Sequence, residues 1–256
     1  MGRTQSRARC LFCGAEGITK EHVLARSLSK LFAGQAPAGV ETVLRHEYQH
    51  PELGIVRQPK RAKTLAYTAR KFCRDCNSGW MNELDQRARP SLEAFAANRP
   101  MTLSPADQET LAFWTTKTLF GFLSTEPDEY QFAPPELYQE LYRTRAPLVG
   151  SQVWVGANAH GDIAWQRAHS LVFRTLGDDA RGFGASLSFG YGVLHLIHHG
   201  SPDWLLRLRY DAHRSLRQVW PTQPSVEWPP DLRMQPRDLT PLPQVINANS
   251  TFVRRG

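Results

Sequence analysis

Long apolar runs are missing from this sequence. No stretch of its 256 residues approaches the roughly 18 consecutive apolar residues that a membrane-spanning helix needs, and nothing after Met1 resembles the apolar core of a secretory signal. We therefore expect a cytoplasmic protein with no membrane partner. Internal repeats are also missing. Hydrophobic residues make up 41% of the chain, which is enough for the cores of one large or two modest globular domains.

Cysteine is scarce, and none stands outside a Cys-x-x-Cys pair. The four cysteines form CLFC, with Cys10 and Cys13, and CRDC, with Cys73 and Cys76. Where thiols stay reduced, two such pairs typically supply four thiolates to a structural zinc ion. The 59 intervening residues exceed the spacing of a compact zinc ribbon, so a substantial element must be looped out between the pairs. The sequence predicts one four-cysteine zinc site, with a redox pair as the alternative.

Acidic residues are scarce relative to basic ones in the first part of the chain, but not in the second. Residues 1–102 carry 17 Lys and Arg against 9 Asp and Glu, whereas residues 103–256 carry 14 against 15. A concentrated positive field favours a polyanionic partner, and nucleic acid, DNA in particular, is our first expectation. Three basic residues around the second cysteine pair are candidates for contacting phosphates: Arg70, Lys71 and Arg74.

A domain boundary is predicted between Pro100 and Pro105, which gives a module at 1–102 and an accessory domain at 103–256. In the second part, apolar spacing predicts two helices, the first mostly buried. From about residue 150 the apolar residues recur with a period of two, which predicts a small antiparallel sheet followed by a Pro-rich, weakly structured end. The fold class is α+β. The accessory domain has no assigned role, but it offers a place for a protein or ligand partner.

The first part alternates extended and helical patterns around the cysteine pairs. Glu21-His22 is expected at the end of a short extended segment, and TLAYTARKFC has strand character leading into the second pair. Residues 33–63, rich in Gly, Pro and charges, are expected to form a long surface excursion. NSGWMNELDQRA predicts a helix that stops by Pro90.

Glu21, His22 and Asn77 together suit metal-assisted cleavage of a phosphodiester. Neighbours on an extended strand point opposite ways, so Glu21 can hold a hard cation while His22 takes a proton from water. Asn77, directly after Cys76, offers a neutral carbonyl oxygen as a second ligand. A site with two oxygen ligands suits Mg²⁺, which keeps several waters and leaves room for a phosphate oxygen.

These residues resemble the HNH, or ββα-metal, nucleases, in particular their zinc-containing, endonuclease VII-like type. The resemblance covers residues 10–13, 21–22 and 73–77. It implies a zinc-stabilised ββα module in which the four cysteines hold zinc, Glu21 and Asn77 hold Mg²⁺ or Mn²⁺, and His22 is the general base. The implied reaction is hydrolysis of a DNA phosphodiester to a 5′-phosphate and a 3′-hydroxyl, and the family's usual settings are antiviral defence and mobile-element processing.

Several neighbouring residues have simpler interpretations. The family's middle asparagine has no counterpart in KRAKTLAYTARKF, where Thr64 or a backbone carbonyl could take its place. Trp80 and Met81 are expected to pack the helix against the strands. Asn82 and Asp85, further along that helix, are expected on a solvated face.

Three histidines in HLIHHG are expected to be strand-end and loop residues, not a second metal site: His195, His198 and His199. Three tryptophans of the second part are expected in the core: Trp154, Trp165 and Trp204.

Two other functions fit the same sequence. A zinc-organised nucleic-acid-binding module would keep the basic field and the cysteine pairs, but Glu21-His22 would be incidental. An adaptor protein would use zinc only to fold and would bind another protein through residues 103–256. Salt-sensitive DNA binding without cleavage would favour the first, and no such binding would favour the second.

Overall fold

The structure is a computed structural model of the whole chain, and it describes part of it. The described residues are 8–24, 27–28, 43–50, 54–61, 68–125, 133–161, 165–172, 181–208, 214–235 and 250–254. For Glu21, residues 43–50, 54–61 and 165–172, Arg181 and Ser250, the description covers the backbone alone. Thr64 lies outside these ranges.

Two strands and a helical segment follow each other around the cysteine pairs. Strand β1, Ile18–His22, pairs antiparallel with β4, Thr68–Cys73. A helical turn, Arg74–Cys76, continues into a π-helical segment, Asn77–Met81, and then into helix α1, Asn82–Ala96. The predicted extended segments at Glu21-His22 and before Cys73 are therefore confirmed, as is the helix after them.

Helix α1 does not stop at Pro90, so that prediction was wrong. Pro90 lies inside the helix, where its missing N–H removes one backbone hydrogen bond. Leu92 and Phe95, which follow Pro90, are fully buried. Burial of each side chain of this size stabilises the fold by about 1.5–3 kcal/mol. The two together stabilise the continued helix by more than the proline destabilises it.

The two helices predicted beyond residue 102 are present. Helix α2, Pro105–Leu123, begins with a reciprocal cap in which the hydroxyl of Ser104 accepts from the backbone N–H of Asp107, whose carboxylate accepts from Ser104 N. Fourteen of its 19 residues are buried, so it is a central helix. Helix α3, Pro135–Thr144, is followed by Arg145 as its C-cap.

The main sheet has seven strands in the order β11-β6-β9-β8-β7-β2-β3. All neighbours are antiparallel except β2 and β7, which are parallel. The strands from the second part of the chain are β6, Ser151–Ala157; β7, Trp165–Val172; β8, Arg181–Phe189; β9, Gly192–His198; and β11, Leu216–Trp220. This confirms the mixed helix and antiparallel-sheet class.

A hairpin of the first part completes that sheet. Strands β2, Val43–His50, and β3, Gly54–Arg61, lie where the sequence predicted a surface excursion, so that prediction was wrong. These residues carry many charges and show little alternation of apolar and polar side chains, so the sequence pattern alone does not predict strands. Pairing of β2 with β7 stabilises the strand structure, as expected where tertiary context overrides propensity.

Short strands also occur in the end predicted to be weakly structured. Strand β12, Val226–Trp228, pairs with β5, Met101–Leu103, and β13, Ser250–Arg254, pairs with β10, Trp204–Leu208. Elements from both sides of residue 102 thus share sheets. The division into two domains at that residue stays a prediction.

A buried ion pair joins α1 to α2. Asp85 Oδ1 accepts from Lys117 Nζ at 2.6 Å and from the indole N–H of Trp114 at 2.7 Å, and all three side chains are buried. The prediction that Asp85 lies on a solvated face was wrong, because its partners come from a distant helix. None of the described helices is long and apolar enough to cross a bilayer.

Candidate metal centre and its surroundings

The four cysteine sulfurs converge on one point. All four Sγ atoms lie within 4.8 Å of one another, with Cys10 and Cys76 at 3.8 Å and Cys13 and Cys73 at 3.5 Å. These separations are well beyond a disulfide bond of about 2.05 Å, and all four cysteines are free. A tetrahedron with Zn–S bonds of about 2.3 Å has edges of about 3.8 Å. The thiols are therefore placed to hold a zinc ion, as the sequence predicted.

Each cysteine pair sits on a tight turn. The first turn is closed by Gly14 N donating to Cys10 O at 2.9 Å, with Gly14 at φ 74°, a conformation that favours glycine. The second joins the end of β4 to the helical turn, where the backbone N–H of Cys76 donates to Cys73 Sγ. Leu11 N donates to Lys71 O at 2.9 Å, which ties the two turns together.

The environment of the sulfurs separates their acidities. The contact between the two thiols lowers the pKa of Cys10 to about 4 and, together with burial, raises the pKa of Cys76. Burial raises the pKa of Cys73. Because a metal binds the deprotonated form, a zinc ion would have to supply the charge that holds all four as thiolates.

Aromatic rings pack directly against the cysteine cluster. Phe12, from the first turn, stacks on Phe72 at 4.9 Å and meets Trp80 edge-on at 5.0 Å. The buried Trp80 Nε1 makes no hydrogen bond with the described residues. Met81 is buried and Trp80 partly buried, so both contribute to packing as predicted.

The three residues proposed for chemistry lie on the elements that the sequence predicted. Backbone pairing sets Glu21 opposite Ala69 and His22 opposite Thr68, with a register shift between Thr19 and Glu21. The side chain of Glu21 lies outside the description. His22 is partly exposed with a buried Nδ1, and Asn77, also partly exposed, opens the π-helical segment. The roles of these residues stay predictions.

The candidate phosphate contacts differ in exposure. Arg70 and Arg74 are exposed on either side of Cys73, and Lys71 is partly buried. Asn82 is exposed, as expected for a solvated helix face. The two arginines can therefore reach a polyanion from the surface beside the cysteine cluster.

The histidines of the second part belong to the sheet. His195 lies inside β9 and is fully buried, and Ser186 Oγ lies 2.5 Å from its Nδ1. His198 ends β9 and its Nδ1 lies 2.9 Å from Ser151 Oγ. Burial lowers the pKa of His195 to about 3 and, with the neighbouring His199, that of His198 to about 4. Of the three tryptophans expected in the core, Trp154 is buried, Trp204 is partly exposed and the side chain of Trp165 lies outside the description.

A cleft beside Trp80 was not foreseen from the sequence. It has a volume of about 600 Å³, and its walls include Trp80, Phe113, Arg87 and Arg145. The guanidinium of Arg145 lies over Trp80, 4.6 Å from the ring centroid, although the two residues are far apart in sequence. No local pattern could have indicated this pairing, because it depends on how the end of α3 packs on the helix that follows the cysteines.

The chain matches no protein-family model, no curated protein and no solved structure.

Proposed function

We propose that the protein is a metal-dependent endonuclease of the HNH type that hydrolyses phosphodiester bonds of nucleic acid, with DNA as the expected substrate. One arrangement carries the proposal. Four cysteines meet where β4 passes into the helical turn, β1 pairs with β4 and carries Glu21-His22, and Asn77 opens the π-helical segment. A carboxylate, an imidazole and a carboxamide are residue types that metal-assisted cleavage of a phosphodiester uses.

The zinc site and the reactive site have different tasks in this proposal. Thiolates satisfy a zinc ion completely when all four bind, which leaves no open position for substrate. The zinc would therefore hold β4, the first turn and the helix in fixed relation. Chemistry then falls to the neighbouring oxygen and nitrogen donors.

His22 is the general base. Histidine as a residue type suits this role, because an imidazole can accept a proton from the attacking water near neutral pH. The water oxygen bonds to phosphorus while the bond to the 3′ oxygen breaks, and that oxygen leaves with a proton from solvent. The products are a 5′-phosphate and a 3′-hydroxyl.

Glu21 and Asn77 would hold Mg²⁺ or Mn²⁺. A carboxylate and a carboxamide oxygen are the donors that such hard cations prefer, and a site with two protein ligands keeps positions for water and phosphate. When bound, the ion would stabilise the negative charge that develops on the phosphate oxygens. The exposed Arg70 and Arg74, with Lys71, would neutralise phosphates on either side of the scissile bond.

The test is nicking of supercoiled plasmid by the purified protein with Mg²⁺, with Mn²⁺ or with EDTA. We expect nicking with either ion and none with EDTA. His22→Ala should reduce the rate by at least about 100-fold, since positioned acid–base catalysis typically contributes that much. It should leave the zinc content unchanged, because His22 is not among the clustered sulfur ligands.

Two results would contradict the proposal in different ways. DNA binding by the wild-type protein without cutting under any metal condition would favour a binding module. Absence of salt-sensitive DNA binding would favour the adaptor alternative, with the second part of the chain as the place for a partner. Action in the cytoplasm against foreign or mobile DNA is the setting that we propose for the active enzyme.

A further inference from the structure

We infer that the cleft between α1 and the end of α3 binds a phosphate of the nucleic-acid backbone, with Arg145 as its main contact and Arg87 as the second. The inference rests on the proposed function, because it adds a contact to the same substrate. It concerns residues that the sequence did not single out.

Arg145 occupies a backbone position that normally belongs to glycine. It ends α3 in the left-handed conformation, at φ 54° and ψ 31°, with its N–H donating to Leu141 O at 3.2 Å. A side chain is disfavoured in this conformation, which glycine adopts readily. Contacts from the surrounding structure must therefore hold Arg145 in place.

The aromatic neighbours hold the guanidinium by its face. It lies over the ring of Tyr142, 4.0 Å from the centroid, and over Trp80 at 4.6 Å. Stacking uses the flat face, whereas the five N–H donors lie in the plane of the group. The donors therefore stay available at the edge. Among the residues that the structure describes, Arg145 makes no ion pair or side-chain hydrogen bond that would occupy them.

The lining of the cleft suits an anion. Arg87 and Arg145 give two positive charges against one negative charge from Glu83, and the amides of Asn82 and Gln86 add neutral donors. A guanidinium held in a fixed plane can bind two oxygens of one phosphate, which a flexible surface lysine does less well.

The cleft adjoins the cysteine cluster. Trp80 lines the cleft and meets Phe12 of the first cysteine turn edge-on, at 5.0 Å between ring centroids. Trp80 follows Cys76 by four residues. The cleft therefore lies next to the turn that carries the exposed Arg74.

The experiment measures the binding of a short fluorescent duplex DNA to the zinc-loaded protein without added Mg²⁺, over rising salt, by anisotropy. Arg145→Gly removes the guanidinium and also relieves the left-handed strain, so the variant should fold at least as well as the wild type. We expect affinity to fall at least about tenfold, as for a lost hydrogen bond to a charged group. The slope of log K against log salt should shrink by about 0.9, as for one lost phosphate contact.

Arg143→Gln is the matched control. Arg143 lies in the last turn of the same helix, is exposed, and lies outside the cleft lining, so its loss changes the net charge equally. We expect nearly wild-type binding from it, and weaker binding from Arg87→Gln.

Equal binding by the wild type, Arg145→Gly and Arg143→Gln would overturn the inference and leave an acidic protein segment as the partner that fits the cleft. Cleavage in Mg²⁺ separates this failure from that of the proposed function. If the wild type cuts DNA but all three proteins bind equally, the cleft inference fails and the nuclease proposal stands. If no protein cuts but Arg145→Gly binds more weakly, the cleft inference is supported and the nuclease proposal is contradicted.

Discussion

The cysteines of the first part and two histidines of β9 are two groups of metal-ligating side chains, but they are arranged differently. The four sulfurs come from two turns that are distant in sequence, and they meet within 4.8 Å. His195 and His198 come from one strand, and each pairs with a serine on a neighbouring strand. Convergence from separate segments is what makes the first group a candidate metal centre.

The two groups also differ in the charge that their side chains carry. The pKa of Cys10 is lowered to about 4, so this thiol becomes an anion readily. The imidazoles of His195 and His198 have lowered pKa values, which means that burial keeps them neutral and uncharged in the sheet. The histidines therefore serve the core, where a neutral ring can be buried beside a hydroxyl.

Losing the zinc ligands should have the largest effect. Structural zinc contributes roughly 10–16 kcal/mol of apparent binding free energy, which is comparable to or larger than the total stability of a typical domain. Cys76→Ser should therefore lose zinc and unfold the region around the cysteine turns. Zinc content by elemental analysis and the near-ultraviolet circular dichroism of the aromatic cluster would measure both effects.

His198→Gln is the comparison for that experiment. It removes a metal-ligating side chain from the other group, so it should keep one zinc per chain. A Cys76→Ser protein with full zinc content, or a His198→Gln protein without zinc, would contradict the assignment of zinc to the cysteines.

The four-cysteine cluster was predictable because its signal is local. Two Cys-x-x-Cys pairs with no other cysteine leave few alternatives, and the strands beside them carry recognisable patterns. Extended segments at β1 and β4 and the helix after Cys76 were all expected for the same reason. Their residues specify the local structure with little help from the rest of the chain.

The features that were missed all depend on distant partners. The hairpin of β2 and β3 is ordered by its pairing with β7, more than 100 residues away. The pattern of α1 alone predicts Asp85 on the surface, but Lys117 and Trp114 of α2 bind its carboxylate in the core. Arg145 likewise gains its place over Trp80 only when α3 packs beside the cysteine cluster. Sequence patterns within one element carry no information about such pairings.

Acid should have a smaller effect, which comes from the histidines. The pKa of His195 is about 3 in the folded protein and about 6.5 in the unfolded chain, so the unfolded chain binds its proton first. The stability that depends on a neutral His195 is fully present above about pH 6.5 and is lost as the pH falls toward 3. At pH 5 the loss is about 2 kcal/mol per histidine. Urea unfolding at pH 7.5 and 5 would measure it.

The variant His195→Gln isolates that term. Acid also protonates thiolates and releases zinc, so the difference between the two proteins matters more than either pH dependence alone. We expect the variant to lose about 2 kcal/mol less than the wild type between the two pH values. An identical loss in both proteins would show that His195 is protonated as easily in the sheet as in water.

Asn77 lies directly after Cys76, and our central claim is that zinc only supports the site while its neighbours carry out the reaction. Asn77→Ala tests this, with Gln139→Ala as its control, because Gln139 carries an exposed amide on α3 outside the cleft lining. Zinc content and plasmid nicking in Mg²⁺ would be measured on the same samples. We predict that Asn77→Ala keeps one zinc and loses at least about 10-fold in rate, since even outer partners of metal ligands contribute that much. Nicking by Asn77→Ala at the rate of Gln139→Ala would contradict the claim.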